Sequence, residues 1–399
     1  MKRLFLYTLL AFLLLSPSLG HDAKAVTVPE FGTIRQFEVP DTPAFAFTQA
    51  MGCGWNLGNT FDAFAQGWKP ASHMDLEKSW CGVLTTREMI QEVHAKGFST
   101  IRVPVSWHDH LEDDISFVIK EDWLSRVETV VRWAIDEGMY VIVNTHHDVD
   151  TRYYYPDSEH LESSKAYLSA IWSQVAARFA DVDEHLIFES MNEPRLAGTD
   201  HEWYYDPSSE VCRDSAEAIC QLNQCFVDTV RAAGGYNAER YLMIPGYDAS
   251  ADGALADAYR LPEDTAEDKL LVSVHAYTPY SFALDLKGTS SFSSSSQADR
   301  SSVVTFMNAL YERFHTKGIP VVIGEYGALD KQNLQDRVDF FAWYVASASA
   351  RRMPCLVWDN NAFSGNGERF GFLDRKNLSW PYPEIIQAIQ TYSMKPATE

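Results

Sequence analysis

Leu186-Ile187-Phe188-Glu189-Ser190-Met191-Asn192-Glu193-Pro194 is the stretch that decides the fold of this chain. Its apolar first half has the composition of a buried strand, and its final proline, which lacks a backbone N–H, ends the strand pairing. The strand therefore presents the amide of Asn192 and the carboxyl group of Glu193 at its C-terminal end. A second apolar run, Pro320–Gly324, ends in the same way at Glu325, so two glutamates close two separate strands.

Short apolar runs alternate with longer segments of helical periodicity along the rest of the chain. The predicted strands are Gly52–Leu57, Thr100–Val105, Tyr140–Asn144, Leu186–Ser190, Tyr241–Ile244, Leu271–Val274, Val321–Gly324 and Cys355–Trp358. The predicted helices are Thr86–Lys96, Glu121–Glu137, Leu161–Phe179, Ala216–Ala233, Leu255–Tyr259, Arg300–His315, Asn333–Ala350 and Pro383–Tyr392. Strands that are apolar throughout are expected where both faces are covered. The alternation predicts an α/β fold, the (β/α)8 TIM barrel.

The chain divides into a leader, a lead-in and one catalytic barrel domain. Residues 1–25 are interpreted as a signal peptide and its cleavage region, because a basic start is followed by the apolar run Leu4–Leu15, which is too short to span a bilayer. An N-terminal membrane anchor is the alternative. Residues 26–45 are expected to be an extended lead-in on the domain surface, and 46–399 the barrel. The leader predicts secretion to the extracellular or periplasmic space, with no membrane association after cleavage.

The charge of the chain excludes several classes of partner. With 55 acidic and 33 basic side chains, the formal net charge is −22. Binding to phosphates needs clustered Lys and Arg, so nucleic acid and anionic membranes are not expected as partners. A neutral ligand fits better, and we expect the chain to act on it as a monomer.

Six cysteines in an exported chain favour disulfide formation. Cys212, Cys220 and Cys225 lie close together in sequence, and we expect at least one local bridge among them. Cys53 and Cys355 lie in apolar strand-like runs, which favours buried free thiols.

In a barrel of this type the functional groups lie at the C-terminal ends of the strands. The polar and aromatic residues at these positions are Trp55, Asn56, Arg102, Trp107, His146, His147, Asp148, Asn192, Glu193, Tyr247, Asp248, His275, Tyr277, Glu325, Trp358, Asp359 and Asn360. We expect Glu193 and Glu325 to face each other across the barrel mouth. Two carboxyl groups in that arrangement can cleave a glycosidic bond.

The surroundings of the two glutamates predict different roles for them. Arg102 lies inside an apolar strand, where its guanidinium must find an acceptor, and Glu325 is the expected partner. Tyr277 is a second expected donor to Glu325, so this carboxylate should stay ionised. Glu193 has no obvious cation nearby in sequence and is expected to keep its proton. Asn192 is expected to donate to a sugar 2-OH.

Seven motifs along the chain resemble the successive strand ends of glycoside hydrolase family 5, a cellulase family. They are Gly54-Trp-Asn-Leu-Gly-Asn-Thr60, Ile101-Arg-Val-Pro104, Asn144-Thr-His-His147, Phe188-Glu-Ser-Met-Asn-Glu-Pro194, His275-Ala-Tyr277, Gly324-Glu-Tyr-Gly327 and Val357-Trp-Asp-Asn-Asn361. The match runs in order from about Gly52 to Tyr392. Some of the motifs look most like those of bacterial endoglucanases.

The resemblance implies a retaining double displacement on a β-1,4-linked polysaccharide of the cellulose type, cleaved at internal bonds. It implies that Glu193 is the acid/base and Glu325 the nucleophile. The implied lining of the cleavage subsite is Arg102, His146, Asn192, His275 and Tyr277, with Trp358 as its floor. Trp55 and Asn56 are further substrate-binding candidates, with packing of the first strand as the alternative. His147 is a candidate contact or a packed supporting residue.

Three alternatives remain open at this point. Xyloglucan, mixed-linkage glucan or mannan are the substrates of some proteins with similar motifs. A non-catalytic polysaccharide-binding protein on a barrel scaffold is a second reading. A metal-dependent hydrolase using His146, His147 and Asp148 is a third, although glycoside hydrolysis by two carboxyl groups needs neither metal nor cofactor, and none is predicted.

Overall fold

The computed structural model describes residues 25–395, so the predicted signal peptide lies almost entirely outside the described residues. Eight parallel strands close into a single barrel in sequential order, which confirms the predicted TIM barrel. The strands are β1 (Gly54–Leu57), β2 (Thr100–Val103), β3 (Tyr140–Asn144), β4 (Leu186–Glu189), β5 (Leu242–Ser250), β6 (Leu270–His275), β7 (Val321–Tyr326) and β8 (Cys355–Asp359). Each overlaps the strand predicted from sequence.

Ten α-helices accompany the strands within residues 25–395. They are α1 (Pro43–Met51), α2 (Arg87–Ala95), α3 (Glu121–Asp136), α4 (Leu161–Arg178), α5 (Glu210–Ala232), α6 (Ala251–Leu255), α7 (Tyr280–Ala283), α8 (Gln297–Arg313), α9 (Leu334–Ala350) and α10 (Pro383–Tyr392). The long helices bury one stripe each against the barrel. In α3 the buried residues recur at three- and four-residue spacing, as in Trp123, Val127, Val130 and Ala134.

The strands supply a core that is covered on both faces. All four residues of β2 and of β4 are buried, as are all six of β7. Two turns that lead back to the strands use Gly97 and Gly138 with φ of +92° and +80°, a conformation that glycine adopts without a Cβ clash. These turns let each helix end and the chain re-enter the barrel from its N-terminal side.

Helix α1 closes the N-terminal end of the barrel and was not predicted from the sequence. Thr42 caps it by accepting a hydrogen bond from the backbone N–H of Phe45. Phe47 stacks on Tyr241 with ring centroids 3.6 Å apart. The buried residues of α1 pack against an inner layer of apolar side chains, which consists of Ile142, Ile187, Met243, Leu271, Val322 and Leu356. The end of the barrel opposite the strand C-termini is therefore sealed by apolar side chains.

The segment before α1 has no regular secondary structure and packs along the outside of the barrel. Phe31 contacts the rings of Trp343 and Tyr392 at centroid distances of 5.2 and 4.9 Å. The backbone N–H of Phe37 donates to the carbonyl of Ala350. Within residues 25–395 no helix combines the length and the apolarity needed to cross a membrane.

The expected local disulfide bridge is wrong in this structure. Cys212, Cys220 and Cys225 all lie on α5 and carry free thiols. Residues eight positions apart on one helix are about 12 Å apart along its axis, whereas a bridge needs Cα atoms within about 7 Å. Cys53 and Cys355 are buried free thiols, as expected.

We predict that Phe47→Ala destabilises the barrel without touching its mouth. Removing a buried aromatic side chain costs about 3 kcal/mol or more, because the cavity it leaves collapses only in part. A urea titration should show a lower unfolding midpoint, while kcat/KM of the folded protein stays at the wild-type value. Tyr236→Ala, at a 55% exposed ring, is the matched control and should leave the midpoint unchanged. Equal midpoints for both variants would contradict the sealing role of α1.

Candidate active site

Strand register brings polar side chains from neighbouring strands into direct apposition. Asn56 on β1 lies opposite Arg102 on β2, and Asn144 on β3 lies opposite Glu189 on β4. His275 on β6 pairs in register with Glu325 on β7. Because parallel strands all run the same way, these residues gather at the C-terminal mouth of one barrel.

Arg102 lies at the centre of this cluster and is fully buried. Its Nε and Nη2 groups donate to the same oxygen of Glu189 at 2.8 and 2.6 Å. Its Nη1 group donates to Glu325 at 2.6 Å. The predicted partnership with Glu325 is therefore present, and a second carboxylate shares the same cation. Both carboxylates raise the pKa of Arg102 against the opposing effect of burial, so the guanidinium stays charged.

Arg102 also fixes two amide side chains. Nη1 donates to the side-chain oxygen of Asn56 at 3.0 Å, and Nη2 donates to that of Asn192 at 2.7 Å. The oxygen of Asn192 is thereby occupied, which directs its NH2 group, a donor, towards the cleft. The NH2 group of Asn192 is thus left as the donor for the predicted contact with a sugar 2-OH.

Trp55 and Asn56 lie behind the cleft, which favours the packing alternative over the substrate-binding one. Both are fully buried. The indole N–H of Trp55 donates to Asp359 at 2.9 Å, and the amide of Asn56 donates to the carbonyl of Gly324 at 2.9 Å. The two residues support the strands behind the site rather than line it.

Glu189 holds Arg102 from behind. One of its oxygens accepts from Arg102 and from the amide of Asn144 at 2.9 Å, and the other accepts from Ser273 at 2.5 Å. Glu189 therefore has a hydrogen-bonding role in the barrel core. These hydrogen bonds satisfy both oxygens of Glu189, whose side chain has no exposure to solvent.

Glu325 receives two donors and stays in contact with the cleft. The Tyr277 hydroxyl donates to its second oxygen at 2.9 Å, and the side chain is 6% exposed. Burial is the largest effect that raises the pKa of Tyr277 well above its ordinary value, and the nearby carboxylates raise it further. The hydroxyl therefore keeps its proton and remains a donor. A carboxyl group held by a guanidinium and a phenol at the edge of the cleft is placed to act as a nucleophile.

The surroundings and the pKa of Glu193 differ from those expected from the sequence. His275 Nδ1 lies 2.9 Å from one of its oxygens, and Arg195 lies 3.9 Å from the other. Burial opposes the charge of Glu193, but the hydrogen bond from His275 and the nearby positive charges lower its pKa to about 2. Burial also opposes a charge on His275, yet Glu325 and Glu193 raise its pKa above the ordinary 6.5. Both shifts favour a proton on His275 over a proton on Glu193 in the free site.

The two glutamates meet across the mouth. One oxygen of Glu193, one of Glu325 and a ring nitrogen of His275 all lie within 4.8 Å of one another. His275 Nδ1 is 3.8 Å from Glu325 as well as 2.9 Å from Glu193. The gap between the two carboxyl groups has room for a single reacting atom. It is too narrow for a reacting atom together with a water molecule.

His146, His147 and Trp358 form one side of the cleft. The rings of His146 and Trp358 are nearly parallel, with centroids 5.8 Å apart. Burial lowers the pKa of His146 well below its ordinary value, so its ring is neutral. Burial and the charge of Arg195 lower the pKa of His147 to about 4. His147 packs against Phe64 at 5.4 Å and is partly exposed, so it borders the cleft rather than the reacting centre.

The metal set considered from the sequence is not assembled. The side chain of Asp148 turns into its own loop, where one oxygen accepts from the backbone of Trp107 and His108 and from the hydroxyl of Tyr167. Among the described residues, Asp62 is the carboxylate that lies near His146 and His147. Its oxygens already accept from two backbone N–H groups.

Comparison with known proteins matches this geometry to one family. The family model described as Cellulase (glycosyl hydrolase family 5) matches residues 61–364. The chain belongs to glycosyl hydrolase family 5. It is therefore a glycoside hydrolase of the cellulase type.

Three relatives illustrate the similarity. Endoglucanase 1 of Ruminococcus albus is 41% identical over 95% of this chain and 88% of the relative. The structure of a family 5 lichenase from Caldicellulosiruptor sp. F32, a mutant in complex with cellotetraose, is 49% identical with a TM-score of 0.90, covering 92% of this chain and 99% of that one. A broad-specificity endoglucanase from Ruminococcus champanellensis with bound cellotriose is 43% identical with a TM-score of 0.82, covering 90% of this chain and 100% of that one.

Arg195 and Ser273 were not identified from the sequence. Arg195 directly follows Pro194 in the loop after β4, and its Nη1 group donates to the backbone carbonyl of Glu193 at 2.9 Å. Arg195 lies two residues after Glu193 in the sequence, and this closeness could have indicated a contact. The direction in which a loop side chain points could not be predicted. Ser273 lies within an apolar strand, and its inward direction follows only from the strand register.

We predict that His275→Asn moves the basic limb of the pH–rate profile to lower pH. In the wild-type enzyme the pair of His275 and Glu193 loses its last proton only above the raised pKa of His275. Without the imidazole, that proton resides on Glu193 alone, where it is lost at lower pH. A profile of kcat/KM between pH 4 and 9 should show the basic limb displaced to lower pH. His147→Asn, at a histidine that is already neutral, is the control and should keep the wild-type limb; an unshifted limb in His275→Asn would contradict the shared proton.

Proposed function

We propose that this enzyme is an exported, monomeric, retaining endo-β-1,4-glucanase that cleaves internal bonds of cellulose-type polysaccharides. The single observation that carries the mechanism is the approach of Glu193 and Glu325 to within 4.8 Å. Retaining glycosidases hold their two carboxyl groups about 5 to 5.5 Å apart, whereas inverting enzymes leave about 6.5 to 9.5 Å for a water molecule. Export is supported by the leader pattern at residues 1–25.

In the first step Glu325 attacks the anomeric carbon of the sugar in the cleavage subsite. A bond forms between a Glu325 oxygen and this carbon while the bond from the carbon to the leaving oxygen breaks. The leaving oxygen takes a proton from Glu193. That proton reaches Glu193 from His275 along their 2.9 Å contact when the sugar displaces water from the mouth.

In the second step Glu193 takes a proton from a water molecule, and the water oxygen attacks the same carbon. The bond to Glu325 breaks and the carboxylate returns to Arg102 and Tyr277. Two displacements at one carbon retain its configuration. The donors already in place around Glu325 need no rearrangement between the steps, which keeps the electrostatic stabilisation preorganised.

The substrate assignment rests on the amide of Asn192 and on the relatives. Asn192 is held by Arg102 so that its NH2 group faces the cleft, where an equatorial 2-OH of a glucosyl unit can accept. Proteins similar to this chain carry cellotetraose or cellotriose in their structures. One is named a lichenase and another a broad-specificity endoglucanase, so mixed-linkage glucan and xyloglucan are second candidate substrates.

We predict that Glu325→Ala and Glu193→Gln each abolish release of reducing ends from a soluble cellulose derivative. Loss of a catalytic group from a site that acts as a unit lowers kcat by about 10⁴-fold or more. Glu217→Gln, at a glutamate 49% exposed and paired with Arg260 on the surface, is the matched control and should retain wild-type kcat. Activity that survives both changes would refute the proposed roles, and absence of turnover in the wild-type protein would favour a non-catalytic binder.

We predict that the enzyme discriminates against mannan because of Asn192. A mannosyl unit carries its 2-OH axially and points it away from the amide, which leaves a buried donor unpaired. The ratio of kcat/KM for cellulose derivative over mannan should be about tenfold or more in the wild type and should fall in Asn192→Ala, mainly through loss on the glucan. An unchanged ratio in the variant would show that another contact selects the sugar.

A further inference from the structure

A cavity of about 700 Å³ lies on the outer flank of the barrel, away from the catalytic mouth. It is enclosed by the lead-in segment at residues 29–37 on one side and by helices α8 and α9 on the other. None of the strand-end residues of the active site lines it. Its walls combine apolar side chains, such as Ile34, Val304 and Ala350, with three arginines.

The three arginines Arg35, Arg300 and Arg351 make no ion pair with any residue between 25 and 395. Arg351 is 6% exposed and donates only to neutral oxygens, those of Asn308 at 2.9 and 2.5 Å and the carbonyl of Ser347 at 2.8 Å. The side chains of Arg35 and Arg300 have no hydrogen-bond partner in that range. Glu30 is the lone acidic residue in the lining.

The cavity brings three cations together in a chain of acidic composition. Several arginines elsewhere in residues 25–395 are paired with carboxylates, such as Arg178 with Glu121, Arg231 with Asp264 and Arg260 with Glu217. Others, such as Arg240 and Arg313, donate only to neutral oxygens. Burial and the neighbouring charge of Arg35 lower the pKa of Arg351 to about 10, so the two cations repel each other. Arg351 is buried, whereas Arg300 is half-buried and Arg35 is exposed, so the guanidinium groups of Arg300 and Arg35 are accessible to a ligand.

Aromatic rings hold the three guanidinium groups in place. The guanidinium carbons of Arg351 and Arg35 lie 4.3 and 5.1 Å from the ring centre of Phe37, and that of Arg300 lies 5.3 Å from Trp343. Stacking engages the face of a guanidinium and leaves N–H groups at its edge for a carboxylate or a similar planar anion. The preorganised cations reduce the entropy cost of binding such a group.

We propose that this cavity is a second carbohydrate site that binds a carboxylated oligosaccharide, of the class that contains uronic acids. The cavity is much larger than a simple anion requires, and its apolar walls suit the C–H faces of sugar rings while the arginines bind carboxylates. The net charge of −22 does not prevent this, because charges beyond about 8 Å are screened at physiological salt and the local cations act at contact distance. Binding in this cavity is measured without turnover, so the result does not depend on the catalytic mechanism.

The test is a calorimetric titration of the purified, active enzyme with trigalacturonate, beside cellotriose as the neutral probe. Arg35→Gln and Arg300→Gln should each weaken trigalacturonate binding about tenfold, which corresponds to about 1.4 kcal/mol, because each removes a charge-assisted contact. Both variants should keep the wild-type kcat on soluble cellulose derivative. Arg260→Gln, at a surface arginine paired with Glu217, is the matched control and should leave the affinity unchanged.

Several outcomes would overturn the proposal. Absence of trigalacturonate binding to the wild-type enzyme would do so, as would equal affinity in wild type and Arg300→Gln. Displacement of trigalacturonate by an equal concentration of inorganic phosphate would reduce the cavity to a simple anion site. A lower melting temperature in the arginine variants with unchanged affinity would mean that the arginines only pack the lead-in against α8 and α9.

Discussion

The structure of the catalytic mouth depends on one buried cation shared by two carboxylates. Arg102 donates to Glu189 behind it and to Glu325 in front of it, and it has no exposure to solvent. Burying three charges together is tolerable only when their hydrogen-bonding groups are satisfied, and Asn56, Asn144, Asn192, Ser273 and Tyr277 supply the remaining partners. The positions of all these side chains follow from the register of the parallel strands, so the fold determines the electrostatics of the site.

This network separates the two glutamates chemically although they lie within 4.8 Å of each other. Glu325 is tied to a permanent cation, whereas Glu193 is tied to a histidine that can give up its proton. The pair of Glu193 and His275 therefore holds one mobile proton beside a fixed negative charge, which is what an acid/base next to a nucleophile requires. The low pKa of Glu193 in the free site describes where that proton rests before a sugar arrives.

The sequence was sufficient for the strand order and for the two glutamates, because apolar runs that end in polar motifs are a strong local signal. It was not sufficient for the side on which each residue lies. Trp55 and Asn56 are consecutive in a strand whose residues are all buried, so composition does not show that Asn56 faces the interior network and Trp55 the outer core. Helix α1 was missed because its residues are mostly apolar and lack a clear polar face; its role as a seal depends on the barrel it closes. Arg195 was missed because the direction of a loop side chain depends on tertiary contacts.

The most direct measurement of the central claim is mass spectrometry of the enzyme after reaction with a 2-deoxy-2-fluoro cellobioside that carries a good leaving group. The fluorine slows the second displacement, so a covalent glycosyl-enzyme should accumulate. The account predicts a single adduct on the peptide that contains Glu325, formed by the wild type and not by Glu325→Ala. Turnover of soluble cellulose without any adduct, or an adduct on a different carboxylate, would contradict it.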